Sequence, residues 1–114
     1  MTSIIEERRQ HHRYEVENSV SVTQLGVFQI TDISKGGFCF KCPPYTSVSM
    51  KWVTDILTPI TDLKKCLVEK AWATVRENGN SNLPSLINVG VKFGSLTKDQ
   101  TSNLTKLIDS IPPS

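Results

Sequence analysis

Single alternation of apolar and polar residues runs through most of the chain, the mark of strands that bury one face. Val16, Val20 and Val22 against Glu17, Ser19, Ser21 and Thr23 predict a first strand with its valines inward. Leu25-Gly26 marks a turn, and a second strand over Val27 to Ile33 carries Phe28 and Ile30 on one side. The stretch Asp32-Ile33-Ser34-Lys35-Gly36-Gly37 is a strand-to-strand bend, after which Phe38 and Phe40 share a face of a third strand that Pro43-Pro44 ends. In a fourth strand, about 48–53, Val48, Met50 and Trp52 alternate with Ser49 and Lys51. Residues 54–65, broken by Pro59, are the least readable part of the chain and suit a loop or irregular edge and a regular element equally. A fifth strand, about 66–76, sets Ala71, Ala73 and Val75 opposite Lys70, Trp72, Thr74 and Arg76. The small apolar set is the expected interior, which leaves Trp72 on a mostly polar face. Asn78 to Asn82 is a hairpin tip by composition, and Ile87, Val89, Val91 and Phe93 form the inward face of a sixth strand.

A helical period appears once. Leu104, Leu107, Ile108 and Ile111 recur at i, i+3, i+4 and i+7, a single apolar stripe that Pro112-Pro113 terminates. Thr97 and Gln100 have capping-box spacing, and Asp99 lies in the first turn, where a negative charge is favourable. The pattern is therefore mainly β, about six antiparallel strands closed by one C-terminal helix. At 114 residues the chain reads as one domain able to bury a modest core without metals or disulfides.

Composition changes this picture little: 38% hydrophobic, 21% charged and a net charge of +2 are too mild for non-specific nucleic-acid binding. Three cysteines do not suit a disulfide framework, and no apolar run reaches the roughly 18 residues of a membrane span or resembles an export signal. The expected location is the cytoplasm. Placement of charge says more, because five of the six residues from Arg8 to Arg13 are Arg or His. That basic cluster sits in a polar segment, 1–14, expected to be mobile until something binds it.

Guanidinium forks suit phosphate oxygens and the O6/N7 edge of guanine. The bend at Asp32 to Gly37 adds a carboxylate able to accept from guanine N1 and N2, a hydroxyl, and glycines that admit close backbone approach. Taken together, Arg9-x-x-x-Arg13 and Asp32-x-Ser34-x-x-Gly37 resemble the paired motifs of the PilZ family, and the Val-Gly-Val-Lys-Phe run at 89–93 resembles its closing strand. The resemblance spans Arg8 to about Ile111. It implies a six-stranded antiparallel β-barrel with a C-terminal α-helix over 15–111, preceded by the arginine segment 1–14. It also implies a receptor for the second messenger cyclic di-GMP that has no enzymatic activity and no cofactor. By the family's pattern Arg9 and Arg13 grip phosphate and guanine, while Asp32, Ser34 and Gly37 contact a guanine on the barrel surface. Arg8 completes a doubled arginine, a form that accompanies two stacked ligands in the family. Some members also place an aromatic beside the ligand on the strand where Trp72 falls, so Trp72 is a further candidate; cover by the helix or a loop is the bland alternative. The implied partner beyond the ligand is an unidentified protein effector, with no DNA or RNA and no membrane insertion.

Other chemistries fit less well. Cys39-x-x-Cys42 lies at a strand end, where residues three apart face opposite ways, and a zinc site would need Cys66 or His11-His12 at spacings the motif lacks. No base is placed against Ser34 for nucleophilic catalysis. Two binding alternatives stay open: a PilZ-like module that docks onto protein without nucleotide, and a barrel for single-stranded nucleic acid, although the latter spreads its basic and aromatic residues along a strand face.

Overall fold

In the computed structural model of the chain, residues 12–43, 48–76 and 86–111 are described. Among these residues, seven strands and one helix follow in order: β1 Tyr14–Glu15, β2 Val20–Thr23, β3 Gly26–Ile33, β4 Gly37–Cys42, β5 Lys51–Leu57, β6 Asp62–Arg76, β7 Leu86–Phe93 and α1 Lys98–Ser110. The antiparallel order β3-β2-β5-β6-β7-β4 closes through a β3–β4 pairing into a six-stranded barrel, and β1 adds a short outer strand on β3. Among the described residues each of these six strands has a paired neighbour on both sides over part of its length. Ile30, Ile33, Phe38, Phe40, Ile56, Leu63, Val68, Val89 and Val91 fill the interior.

Several expectations hold. Phe38 and Phe40 share the core face of β4. Val89 and Val91 point inward from β7. Helix α1 begins with the expected reciprocal cap: the Gln100 N–H donates to Thr97 Oγ1 at 3.1 Å and the Thr97 N–H to Gln100 Oε1 at 2.9 Å. Its stripe of Leu104, Leu107 and Ile108 joins the barrel core. The buried Gln100 amide also donates to the carbonyls of Lys64 (2.7 Å) and Lys65 (3.2 Å), fastening the helix to β6.

Four expectations fail, each for a local reason. The first strand is split by Asn18, whose φ of 54° interrupts the extended run; Val16 before it packs against the core as expected, but past it the parity is reversed. Ser19 and Ser21 are buried while Val20 and Val22 lie at the outer face. Two hydroxyls are tolerated inside because each has partners: Ser21 Oγ hydrogen-bonds Thr54 Oγ1, and Ser19 Oγ donates to the Glu17 carbonyl at 3.0 Å. The fourth strand begins later, at Lys51, leaving Met50 60% exposed, and the unreadable stretch 54–65 supplies the rest of β5 and the start of β6. Its pattern is hidden by a bulge at Lys65 (φ 54°), whose N–H is held by Asp55 Oδ1 at 2.8 Å. This shift turns both Leu63 and Cys66 inward. Finally, Ala71 and Ala73 are exposed rather than interior. β5 pairs β6 only as far as Glu69, so the distal half of β6 runs past the core with β7 as its neighbour among the described residues. The hairpin tip at Asn78 to Asn82 and the terminating prolines lie outside the described residues.

Candidate functional site

Strict alternation from Ile30 would drive the Asp32 carboxylate into the core. A bulge prevents this: Ile30 pairs with Phe40 but Asp32 with Cys39, leaving Thr31 as the extra residue. Ile33 then turns inward, 1% exposed, and Asp32 turns out. A second bulge at Ala71, between the Lys70–Val91 and Trp72–Gly90 pairs, does the same for Trp72. Two extra residues on two strands thus aim an acid and an indole at one outer face.

Register makes that face continuous. Glu15 pairs with Asp32, Asp32 with Cys39, Cys39 with Gly90 and Gly90 with Trp72, a single row across β1, β3, β4, β7 and β6. The middle of the row is small, and the Trp72 ring fills the space: a Cβ at Gly90 would lie 2.2 Å from Trp72 Cε2. Arg13, just before β1, spans the row. Its Nε lies 3.2 Å from Asp32 Oδ1, with both side chains partly exposed, and its Cζ sits 5.7 Å from the Trp72 ring centroid, within cation–π range. These residues line an open cleft of about 1180 Å³, with Lys41, Thr74 and Asn88 beyond them. That volume exceeds the roughly 300–1,000 Å³ of ordinary small-molecule sites, so a dinucleotide-sized ligand has room.

The structure brings together Arg13, Asp32 and Trp72. Ser34 and Gly37 sit at the bend instead. Ser34 Oγ accepts from the N–H groups of Gly36 (3.1 Å) and Gly37 (3.2 Å), and the Ser34 N–H donates to the Gly37 carbonyl at 2.8 Å. Gly37 is needed for packing, because a Cβ there would lie 1.9 Å from the Val91 carbonyl oxygen. Arg8, Arg9 and His11 lie outside the described residues. Lys41 and Asn88 were missed as candidates by the sequence reading; the signal for them is register, which places both two residues along their strands from the Cys39–Gly90 pair.

The three cysteines are buried free thiols. Burial pushes the Cys66 thiol up to about 11, with the Asp55 charge adding to it. Burial also raises Cys39, against the opposing pull of its hydrogen bond to Thr31. Cys42 faces the core and Cys39 the cleft, the opposite-face arrangement expected of residues three apart on a strand. Among the described residues no group of three metal-ligating side chains occurs.

No family model matches the chain and no curated protein matches it in sequence. Solved structures do match in fold. The PilZ domain with c-di-GMP of YcgR from Escherichia coli superposes with a TM-score of 0.69 at 12% identity, covering 91% of each chain. MrkH, a c-di-GMP-dependent transcription regulatory factor, gives 0.66 at 18% identity over 89% of this chain and 49% of its own. The K. pneumonia MrkH–c-di-GMP complex gives 0.69 at 15% identity over 89% of this chain and 51% of its own. The chain therefore spans about half the length of MrkH, and the shared property is the PilZ fold.

Proposed function

We propose that this PilZ-fold domain is a non-enzymatic receptor for cyclic di-GMP, held on the outer floor between Asp32 and Trp72 and gripped by Arg13. The observation that carries the reading is the 3.2 Å contact between Arg13 and Asp32. It joins in space two motifs that are separate in sequence, beside an aromatic ring and over a cleft large enough for the ligand. The fold-level neighbours solved with c-di-GMP support the same ligand class.

In this reading Asp32 accepts from N1 and N2 of one guanine, and Trp72 offers its face to a base. Base–aromatic stacking contributes roughly 1–3 kcal/mol. Arg13 exchanges its contact with Asp32 for the ligand, and Arg8 and Arg9 close over the phosphodiesters from the segment 1–14. Each charge-assisted hydrogen bond is worth about 1.5–3 kcal/mol, against about 1–2 kcal/mol for each residue fixed. The arginines alone nearly break even, so stacking and the Asp32 contact supply the surplus. Ser34 and Gly37 serve the site by setting the bend that carries Asp32. Closure changes the surface shown to a protein effector, the route by which a binding domain passes on a signal.

Titration calorimetry with cyclic di-GMP, with GTP and cyclic di-AMP as controls, tests the proposal. Selective binding of cyclic di-GMP is the expected result, and the ligand-to-chain ratio reports whether Arg8 supports one ligand or two. Absence of binding would remove the receptor function and favour a protein-docking module.

A further inference from the structure

The floor of the cleft continues past the Asp32–Trp72 row. Lys41 pairs with Asn88 and Asn88 with Thr74, each two residues along its strand from Cys39, Gly90 and Trp72. These three side chains therefore face the same way, about 6.5 Å further on, and all three line the cleft. Charge gives this second row its importance. The lining residues include two cations, Arg13 and Lys41, against three carboxylates, Glu15, Glu17 and Asp32. Arg13 is already paired with Asp32, whereas Lys41 has no ion pair among the described residues. The Lys41 charge also reaches the floor of the first row, where it is one of the influences that favour the Cys39 thiolate.

We propose that Lys41, Asn88 and Thr74 form a second subsite for the half of a cyclic dinucleotide that Asp32 does not hold. Lys41 pairs with a phosphodiester oxygen, and Asn88, with Thr74 beside it, takes the second base. The inference rests on the receptor reading above and refines its ligand class. An ionised carboxylate only accepts, so Asp32 selects the N1 and N2 donors of guanine and opposes the bare N1 of adenine. A side-chain amide both donates and accepts, so Asn88 pairs with guanine O6/N1 or with adenine N6/N7 alike. One base position then requires guanine and the other takes either purine. The ligand class is cyclic dinucleotides with at least one guanine, including the hybrid cyclic GMP–AMP.

The test is titration of the full chain and of Lys41→Gln, Lys41→Arg and Asn88→Asp with cyclic di-GMP, cyclic GMP–AMP and cyclic di-AMP, at several salt concentrations. A thermal melt of each variant confirms folding. The unaltered chain is expected to bind cyclic di-GMP and the hybrid within about tenfold of each other, with cyclic di-AMP far weaker. Lys41→Gln should weaken both by about tenfold and lower the slope of log affinity against log salt by about one, with Lys41→Arg restoring both. Asn88→Asp should widen the preference for cyclic di-GMP over the hybrid. If the unaltered chain binds cyclic di-GMP but rejects the hybrid as strongly as cyclic di-AMP, or if Lys41→Gln leaves affinity and salt slope unchanged, the second subsite is overturned while the receptor reading stands. Failure of the unaltered chain to bind cyclic di-GMP overturns both.

Discussion

Adding one methyl group at Gly90 and one at Gly37 should have opposite consequences. At Gly90 the new Cβ would meet Trp72 Cε2 at 2.2 Å, Nε1 at 2.4 Å and Cζ2 at 2.6 Å. Carbon contacts settle near 3.5–4.0 Å, so the indole must lift by about 1–2 Å. The ring is 40% exposed and lies at the cleft, so it has somewhere to go. Lifting it forfeits the Arg13 contact, about 0.5–1 kcal/mol, while alanine in a strand regains about 0.5–1 kcal/mol over glycine. Stability should therefore change by less than about 1 kcal/mol, whereas a displaced stacking surface should weaken cyclic di-GMP binding roughly 5- to 150-fold. At Gly37 the Cβ would lie 1.9 Å from the Val91 carbonyl oxygen and 2.9 Å from its carbon, both backbone atoms of β7, which is paired on either side. Nothing there can swing away. Gly37→Ala should cost about 3 kcal/mol or more and lower Tm by more than about 10 °C. Urea unfolding and calorimetric titration of both variants decide the matter. A fully stable Gly37→Ala protein that fails to bind would make Gly37 a ligand contact rather than a packing residue, and a Gly90→Ala protein with full affinity would remove Trp72 from the site.

Arg13→Ala should abolish binding while leaving the Tm of the free protein within a few degrees, since a partly exposed ion pair contributes only about 0–1 kcal/mol. A large loss of stability would mark Arg13 as structural. Asp32→Ala should reduce the preference for cyclic di-GMP over cyclic di-AMP, measured as a ratio of affinities, and an unchanged ratio would contradict its role. Gln100→Ala removes the side-chain half of the reciprocal cap and two bonds to β6, and should cost about 2 kcal/mol in urea unfolding with little effect on ligand affinity. Because burial raises the Cys66 thiol from 9.0 to about 11, the unfolded chain loses that proton first as pH rises. Stability from this source is complete below about pH 9 and falls between pH 9 and 11, and the fall should be shallower in Cys66→Ala.

How much of this was legible beforehand follows from where the backbone is regular. β4, β7 and α1 keep an unbroken period, and Phe38, Val89 and Leu104 fell where alternation or helical spacing put them. The errors gather where one extra residue changes phase. Lys65 hid the start of β6, and Ala71 separated Trp72 from the pattern of the residues before it. The reversed β2 shows a different limit, because Ser21 and Thr54 satisfy each other inside the barrel and no local rule distinguishes them from surface hydroxyls. For the site, the Arg13 and Asp32 motifs were visible in the residues, and their meeting was expected from resemblance alone. The bulge at Thr31 that turns Asp32 outward belongs to the pairing of β3 with β4, a long-range property that a period-2 reading passes over. Lys41 and Asn88 were hidden for the same reason, since nothing but register connects them.

An amide and indole NMR titration of the isotope-labelled protein with cyclic di-GMP tests the proposed binding face most directly. The largest shifts should follow the row Asp32, Cys39, Gly90 and Trp72, including the Trp72 indole N–H, and extend to Lys41 and Asn88, while Ile56 in the core stays still. Shifts confined to the β2–β5 side of the barrel, or no shifts at saturating ligand, would contradict it.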